Sequence, residues 1–243
     1  MLSGTLLNVV TVSVGSTLGL IVGQKMPDRI HKIIFDGLGL LTLLVGVQMG
    51  LETRNVLLLL GAVLIGGIIG ELLKIESNLD RFGSWAQHKL TRGNDGRFSE
   101  AFVASSLVFC VGPMTITGSL QNGLTGDYRL LALKSFLDLF SSFAFAASLG
   151  WGVFLSILTI LIFQGGLSLG AGLFSGILND AQIISELTAV GGILIIGIGI
   201  RLLDVKRIPV ANFLPALIVS PLLVTAVRNL EPVFRNLFSG FMS

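Results

Sequence analysis

Long apolar runs alternate along this chain with short polar breaks. Each run is close to the roughly 20 residues that an α-helix needs to cross the hydrocarbon core of a bilayer. Eight segments can be drawn, at approximately 5–24, 31–50, 55–74, 101–121, 131–149, 152–172, 186–203 and 208–227. The pattern predicts an all-α fold: a polytopic helical membrane protein of seven or eight spans, forming one membrane domain over residues 1–243. The seven-span version makes 208–227 re-entrant or interfacial, and the fourth segment can be read as crossing or as re-entering.

That fourth segment, Glu100 to Asn122, is apolar enough to span yet carries Gly112-Pro113 in its middle. Proline lacks the backbone donor and clashes with the carbonyl four residues back, so an unbroken helix is not expected there. Ser105 and Ser106 precede the break, and Thr115, Thr117 and Ser119 follow it. Broken helices of this kind hold solutes or ions in many transporters; a plain kink satisfied by a neighbouring helix is the simpler alternative.

The polar breaks set an orientation. Lys25, Arg29 and Lys32 lie in the first loop, Lys74, Arg81, Lys89, Arg92 and Arg97 in the third, and Lys206 and Arg207 in the seventh. The alternate loops carry little beyond Arg54 and Arg129. Basic loops stay cytoplasmic, which places the N-terminus outside; Arg228 and Arg235 near the C-terminus count mildly against that arrangement. The longest loop, 75–99, repeats Leu79, Phe82, Ala86 and Leu90 at helical spacing with Trp85 beside them. It predicts a short helix in the cytoplasmic interface, with TRGNDGR (91–97) as a turn. The first span has no basic residue before Lys25 and is too long for a signal-peptide core, so it is read as retained.

An internal pattern suggests a repeat. Gly15-Ser16, followed by Lys32 and then Phe35-Asp36, matches Gly118-Ser119, followed by Lys134 and then Leu137-Asp138. Repeat A would cover about 4–74 and repeat B about 100–172, separated by the 75–99 loop and followed by two terminal spans over about 186–227. A three-span unit is odd, so its second copy would enter from the opposite side and give inverted repeats.

Composition adds exclusions. Of 243 residues, 52% are hydrophobic and only 12% charged, with a mean hydropathy of +0.88. A net charge of +2 and the lack of a basic patch exclude nucleic acid as an expected partner. A single cysteine, Cys110, excludes an internal disulfide and any multi-cysteine metal site. No metal or cofactor is expected.

Charged groups inside spans are costly and tend to face a cavity or a partner. Asp138, seven residues into the fifth segment with Lys134 one turn before it, is the leading candidate for a pathway or coupling-ion group. The alternative is an i,i+4 pair that neutralises itself. Asp36 is its repeat mate, nearer a membrane surface. Glu71, Glu100 and Glu186 fall at segment ends and are read as interfacial. Among the amides Asn8, Gln48, Gln121, Asn122, Gln164 and Asn212, Gln164 stands out because Gln164-Gly165-Gly166 interrupts an aliphatic span. The candidate solute- or ion-binding set is Gly112, Pro113, Thr115, Thr117, Asn122, Lys134, Asp138, Gln164 and Asp36.

Glycines four apart (Gly15, Gly19 and Gly23; Gly46 and Gly50; Gly66 and Gly70; Gly166 and Gly170) let helices approach closely. They serve packing within the chain or a homodimer. Enzyme signatures are weak: Gly166-Leu-Ser168-Leu-Gly170 matches a nucleophile elbow, but it lies inside an apolar span and no histidine follows it. There is no Walker loop. No enzymatic activity is expected.

The stretches SSLVFCVGPMTITGSLQNGLTGD, LKSFLD, FQGG and NFLPAL, with the opening GTLLNVVTVSVGSTLGLIVG, resemble the YqgA/YdfK-type family of uncharacterised bacterial inner-membrane proteins. The resemblance spans nearly the whole chain and implies a multi-pass protein of the bacterial inner (plasma) membrane; it carries no site residues. The residues themselves point to a transporter or channel for a small solute or ion, with its site near the broken fourth span. Freed carbonyls there suit a cation and half-helix N-termini suit an anion. A non-transporting scaffold or signalling subunit is the alternative.

Overall fold

A computed structural model describes residues 2–23, 27–81, 98–173 and 180–239. Every regular element among them is helical: α1 (Ser3–Gly23), α2 (Asp28–Gly50), α3 (Val56–Leu72), α4 (Ile75–Arg81), α5 (Phe98–Cys110), α6 (Pro113–Thr125), α7 (Arg129–Leu149), α8 (Gly152–Thr159), α9 (Gly165–Leu169), α10 (Ala181–Leu202) and α11 (Ala216–Ser239). A π turn, Ile160–Gln164, joins α8 to α9, and a 3-10 turn, Val210–Phe213, leads into α11. Of the interfacial helix predicted in the long loop, Leu79 lies on α4. Phe82, Trp85, Ala86, Leu90 and the 91–97 turn lie outside the described residues, as does Lys25.

Six helical stretches are long and apolar enough to cross a membrane, and two bent pairs raise the number to as many as eight. The bends are 52° between α3 and α4 and 59° between α5 and α6. Packing direction selects within that range. Gly15, Gly19 and Gly23 of α1 lie against the backbone of Leu139, Phe143 and Ala147 of α7. Both series ascend together, so the two helices run parallel. If α5–α6 turned back to the face it came from, α7 would instead oppose α1. The broken segment therefore crosses.

The other pairings agree. Gly39, Gly46 and Gly50 of α2 meet Leu203, Ile196 and Ile193 in descending order, which makes α10 antiparallel to α2. Gly61, Gly66 and Gly70 of α3 meet Leu223, Ala216 and Asn212, so α11 is antiparallel to α3 and crosses as the eighth span. On α5, Ala101 packs at Gly152 and Ser106 lies 3.0 Å from the Thr159 hydroxyl, so α8 runs parallel to α5. Each direction matches a chain that crosses eight times.

At Gly19 an added Cβ would meet the Phe143 carbonyl oxygen, so only glycine permits this approach. The faces of Gly15, Gly19 and Gly23 on α1, Gly39 and Gly46 on α2, and Gly66 and Gly70 on α3 are thus filled from within the chain. The main core gathers Val12, Leu20, Phe109, Phe145, Ile160, Val190 and Ile195, with Phe109 edge-on to Phe145 at 6.4 Å. The inverted repeat is not evident in this packing. In such a repeat the mate of α1 against α7 would be α2 against α5–α6, but α2 packs chiefly on α10. Helix α10 also begins five residues before the predicted span. The Asp180 carboxylate caps it by accepting from the backbone of Gln182 and Ile183, at 2.9 and 3.4 Å.

Candidate functional site

The break at Gly112 is closed locally. Gly112 is extended, and its carbonyl accepts from the backbone N–H of Thr115 and Ile116, each at 3.2 Å, to start α6. The Thr115 hydroxyl donates to the Phe109 carbonyl at 3.2 Å, in place of a backbone donor lost at the end of α5. Thr115 is therefore used in holding the kink, and Thr117 sits half-buried one turn into α6. Pro113 takes the first helical position, where a missing N–H costs nothing.

The buried polar groups converge a short distance away, where α1 and α7 meet the π turn. Asp138 is the tenth residue of α7, about 14 Å along its axis at 1.5 Å per residue. Its carboxylate is paired with the Lys134 ammonium, and both side chains are less than 10% exposed. The amide of Asn8 also interacts with that carboxylate, and its Nδ2 donates to Gln164 Oε1 at 2.9 Å. Gln164 Nε2 reaches the Thr5 hydroxyl at 3.4 Å. Asn8 and Gln164 have no solvent exposure.

One turn toward the start of α1, Asn122 stitches α6 to α1. Its Oδ1 accepts from the Gly4 N–H at 3.3 Å and its Nδ2 donates to the Ser3 hydroxyl at 3.1 Å. Cys110, last residue of α5, is buried close enough to Lys134 and Asp138 to be influenced by both charges. The broken span and the charged pair are therefore neighbours.

Of the candidates read from the sequence, Asn122, Lys134, Asp138 and Gln164 gather around the first two turns of α1, with Gly112, Pro113 and Thr115 forming the kink beside them. Asp36 stands apart, exposed on α2. The expected weakness at Gln164 takes the form of the π turn, an irregularity frequent at functional sites. It turns Gln164 onto α1. Thr5 was missed, although its signal was present: Thr5, Asn8, Val12, Ser16 and Gly19 recur at helical spacing and form the buried face of α1.

Glu71, Glu100 and Glu186, expected at the interface, belong to two further polar groupings. At the basic-loop end, Arg201 pairs with Glu76 at 2.6 Å and Glu100 at 3.3 Å. Glu76 also accepts from the Ala211 N–H at 2.8 Å, and Asn212 bridges the Glu76 N–H to the Glu71 carboxylate. A cleft of about 730 Å³ opens beside them, lined by Glu71, Lys74, Glu76, Ser77, Asp80 and Asn212. At the opposite end the fully buried Glu186 accepts from the N–H groups of Arg54 and Asn55, both at 2.8 Å, and from the Thr53 hydroxyl at 2.7 Å. There, too, Arg228 hydrogen-bonds Asp180 and, with the backbone amides of the cap, holds its carboxyl down at about 2.

Six to eight helical stretches long and apolar enough to cross a membrane, packed around a buried charged pair, define a polytopic helical membrane protein. The chain belongs to the family described as "Protein of unknown function (DUF554)", whose model matches residues 3–225. It is similar to "Uncharacterized protein YqgA" of Escherichia coli (strain K12), 32% identical over 90% of this chain and 95% of that one. It is also similar to "Uncharacterized membrane protein YdfK" of Bacillus subtilis (strain 168), 27% identical over 93% and 96% respectively. No solved structure matches the chain.

Proposed function

We propose that this protein is a multi-pass transporter or channel of the bacterial inner membrane, moving a small solute or ion past the Lys134–Asp138 pair, and that it is not an enzyme. One observation carries the reading: a complete ion pair lies mid-helix in α7, ringed by amides from α1 and the π turn and placed beside a broken span. A charge at a helix centre costs about 2.5–3.5 kcal/mol on insertion scales, and such groups are kept mainly where something must bind or pass. A kinked helix and a π turn bordering the same spot supply irregular backbone where it can line a path.

The rival reading is a non-transporting scaffold or signalling subunit. The observation favouring it is how far the polar groups satisfy one another, Thr115 included. A homodimer is proposed through the glycine face of α9, since none of the described residues comes within 4 Å of a Cβ placed at Gly166. Flux into proteoliposomes across a panel of ions and small metabolites separates the two functions. Flux that Asp138→Asn or Pro113→Ala abolishes supports transport. Silence across the panel, with a stable partner in pull-downs, supports the scaffold.

A further inference from the structure

The network around Lys134 and Asp138 leaves one acceptor over. Oδ1 of Asn8 is fully buried and meets no donor, while Nδ2 of the same amide contacts Gln164 and Asp138. The two atoms belong to one planar group, so the orphan oxygen sits within a few ångströms of the Asp138 carboxylate. Buried polar atoms are nearly always partnered. An unpartnered acceptor next to a carboxylate is a place for a positively charged ligand.

The charge count narrows the class. Lys134 and Asp138 already neutralise each other, so an added cation would leave uncompensated charge in the membrane unless the ammonium leaves the carboxylate and snorkels to the start of α7, five residues before Lys134. A one-for-one exchange requires a monovalent ion. The oxygens at hand, from Asp138, Asn8, Gln164 and Thr5, are hard ligands. Among the described residues no three His, Cys, Asp or Glu side chains gather as a transition metal would require. We propose that Asp138 and Asn8 Oδ1 form a site for a monovalent, oxygen-coordinated cation, and that the Lys134 ammonium is a tethered cation which that ion displaces. This deepens the transport reading and rests on it for its purpose, though binding can be measured without transport.

Cys110 is the chain's single cysteine and lies beside the pair, which makes it a built-in reporter. The full-length protein in detergent micelles would be titrated with Na⁺ replacing choline at constant ionic strength. Two quantities are read: the thermal unfolding midpoint and the rate of Cys110 modification by N-ethylmaleimide. The expected result is a saturable rise in midpoint with a change in labelling rate of about threefold or more, absent in Asp138→Asn and Asn8→Leu. Lys134→Gln removes the competitor and should lower the half-saturating Na⁺ concentration by about fivefold or more, the scale of an ordinary coupling between ligands.

No Na⁺ response in the wild type, or an equal response to choline, overturns the site whether or not Lys134→Gln folds. An unchanged half-saturation in a folded Lys134→Gln overturns the displacement. Flux measured in parallel separates the two levels. Flux without any Na⁺ response overturns the cation site and leaves transport standing. A Na⁺ response without flux keeps the site and removes the transport reading.

Discussion

Asn8 and Gln164 are 156 residues apart in sequence, yet the amide of one donates to the carbonyl oxygen of the other at 2.9 Å with no solvent access to either. The bond joins the first span to the irregular turn of the sixth. It fixes the face of α1 that looks onto the Lys134–Asp138 pair, so the charged site is assembled from three elements that no local sequence window contains.

Breaking that pair should reveal its energetics. Asp138→Asn leaves a buried ammonium and Lys134→Gln a buried carboxylate, and either loss should cost about 3–5 kcal/mol. The double variant should recover most of it. Thermal midpoints in detergent decide the matter; singles as stable as wild type would show that the charges are solvated in the membrane.

The glycine seam should be sharply position-dependent. Gly19→Leu drives a side chain into the Phe143 carbonyl and should cost about 3 kcal/mol, the upper end of ordinary overpacking. Gly37, also helical, has none of the described residues within 4 Å of where a Cβ would stand. Gly37→Ala should be neutral or stabilising by about 0.5–1 kcal/mol. Equal effects at the two positions, read by the same unfolding assay, would contradict the parallel packing of α1 on α7.

Glu186 should prove structural. Its carboxylate holds two backbone amides and one hydroxyl at the turn between α2 and α3. Glu186→Leu leaves them unmet in a half-buried turn, a loss of about 1–2 kcal/mol. Glu186→Gln, which keeps an acceptor, should cost less. The order of the two midpoints tests the assignment, and flux through the surviving fraction should keep its affinity.

The crossing pattern also predicts sidedness. In intact cells an impermeant thiol reagent should reach Arg54→Cys and miss Lys206→Cys, while buried Cys110 stays silent. The reverse pattern would invert the orientation drawn from the basic loops.

The spans were legible in the sequence because the bilayer imposes its thickness on every one of them. The break was legible because proline at position 113 cannot donate. Lys134 and Asp138 announced themselves by their spacing of one turn. What stayed hidden was long-range pairing. Arg201 ends an apolar helix with Asp204 three residues on as the obvious local partner, yet it pairs with Glu76 and Glu100, more than 100 residues away. Glu186 looked interfacial for the same reason, since the amides it holds are more than 130 residues earlier. The start of α10 falls before the expected one because the polar residues Asp180, Gln182, Ser185 and Glu186 resemble a loop until the Asp180 cap and the Glu186 contacts are seen.

The pairing of α1 with α7 has a consequence for how the protein is made. The ribosome releases α1 first, but the helix that covers its glycines ends at Leu149, 126 residues after Gly23. At synthesis rates of 5–20 residues per second that is a wait of about 6–25 s. Through that interval Thr5, Asn8 and Ser16 lie on a membrane-inserted helix whose own chain cannot yet receive them. Until the fifth and sixth spans arrive, with Gln164 on the sixth, those groups have only the insertion machinery, water or lipid headgroups to meet them. Variants that weaken the seam should therefore show themselves first as nascent chains lost to proteolysis, before any defect appears in the mature protein.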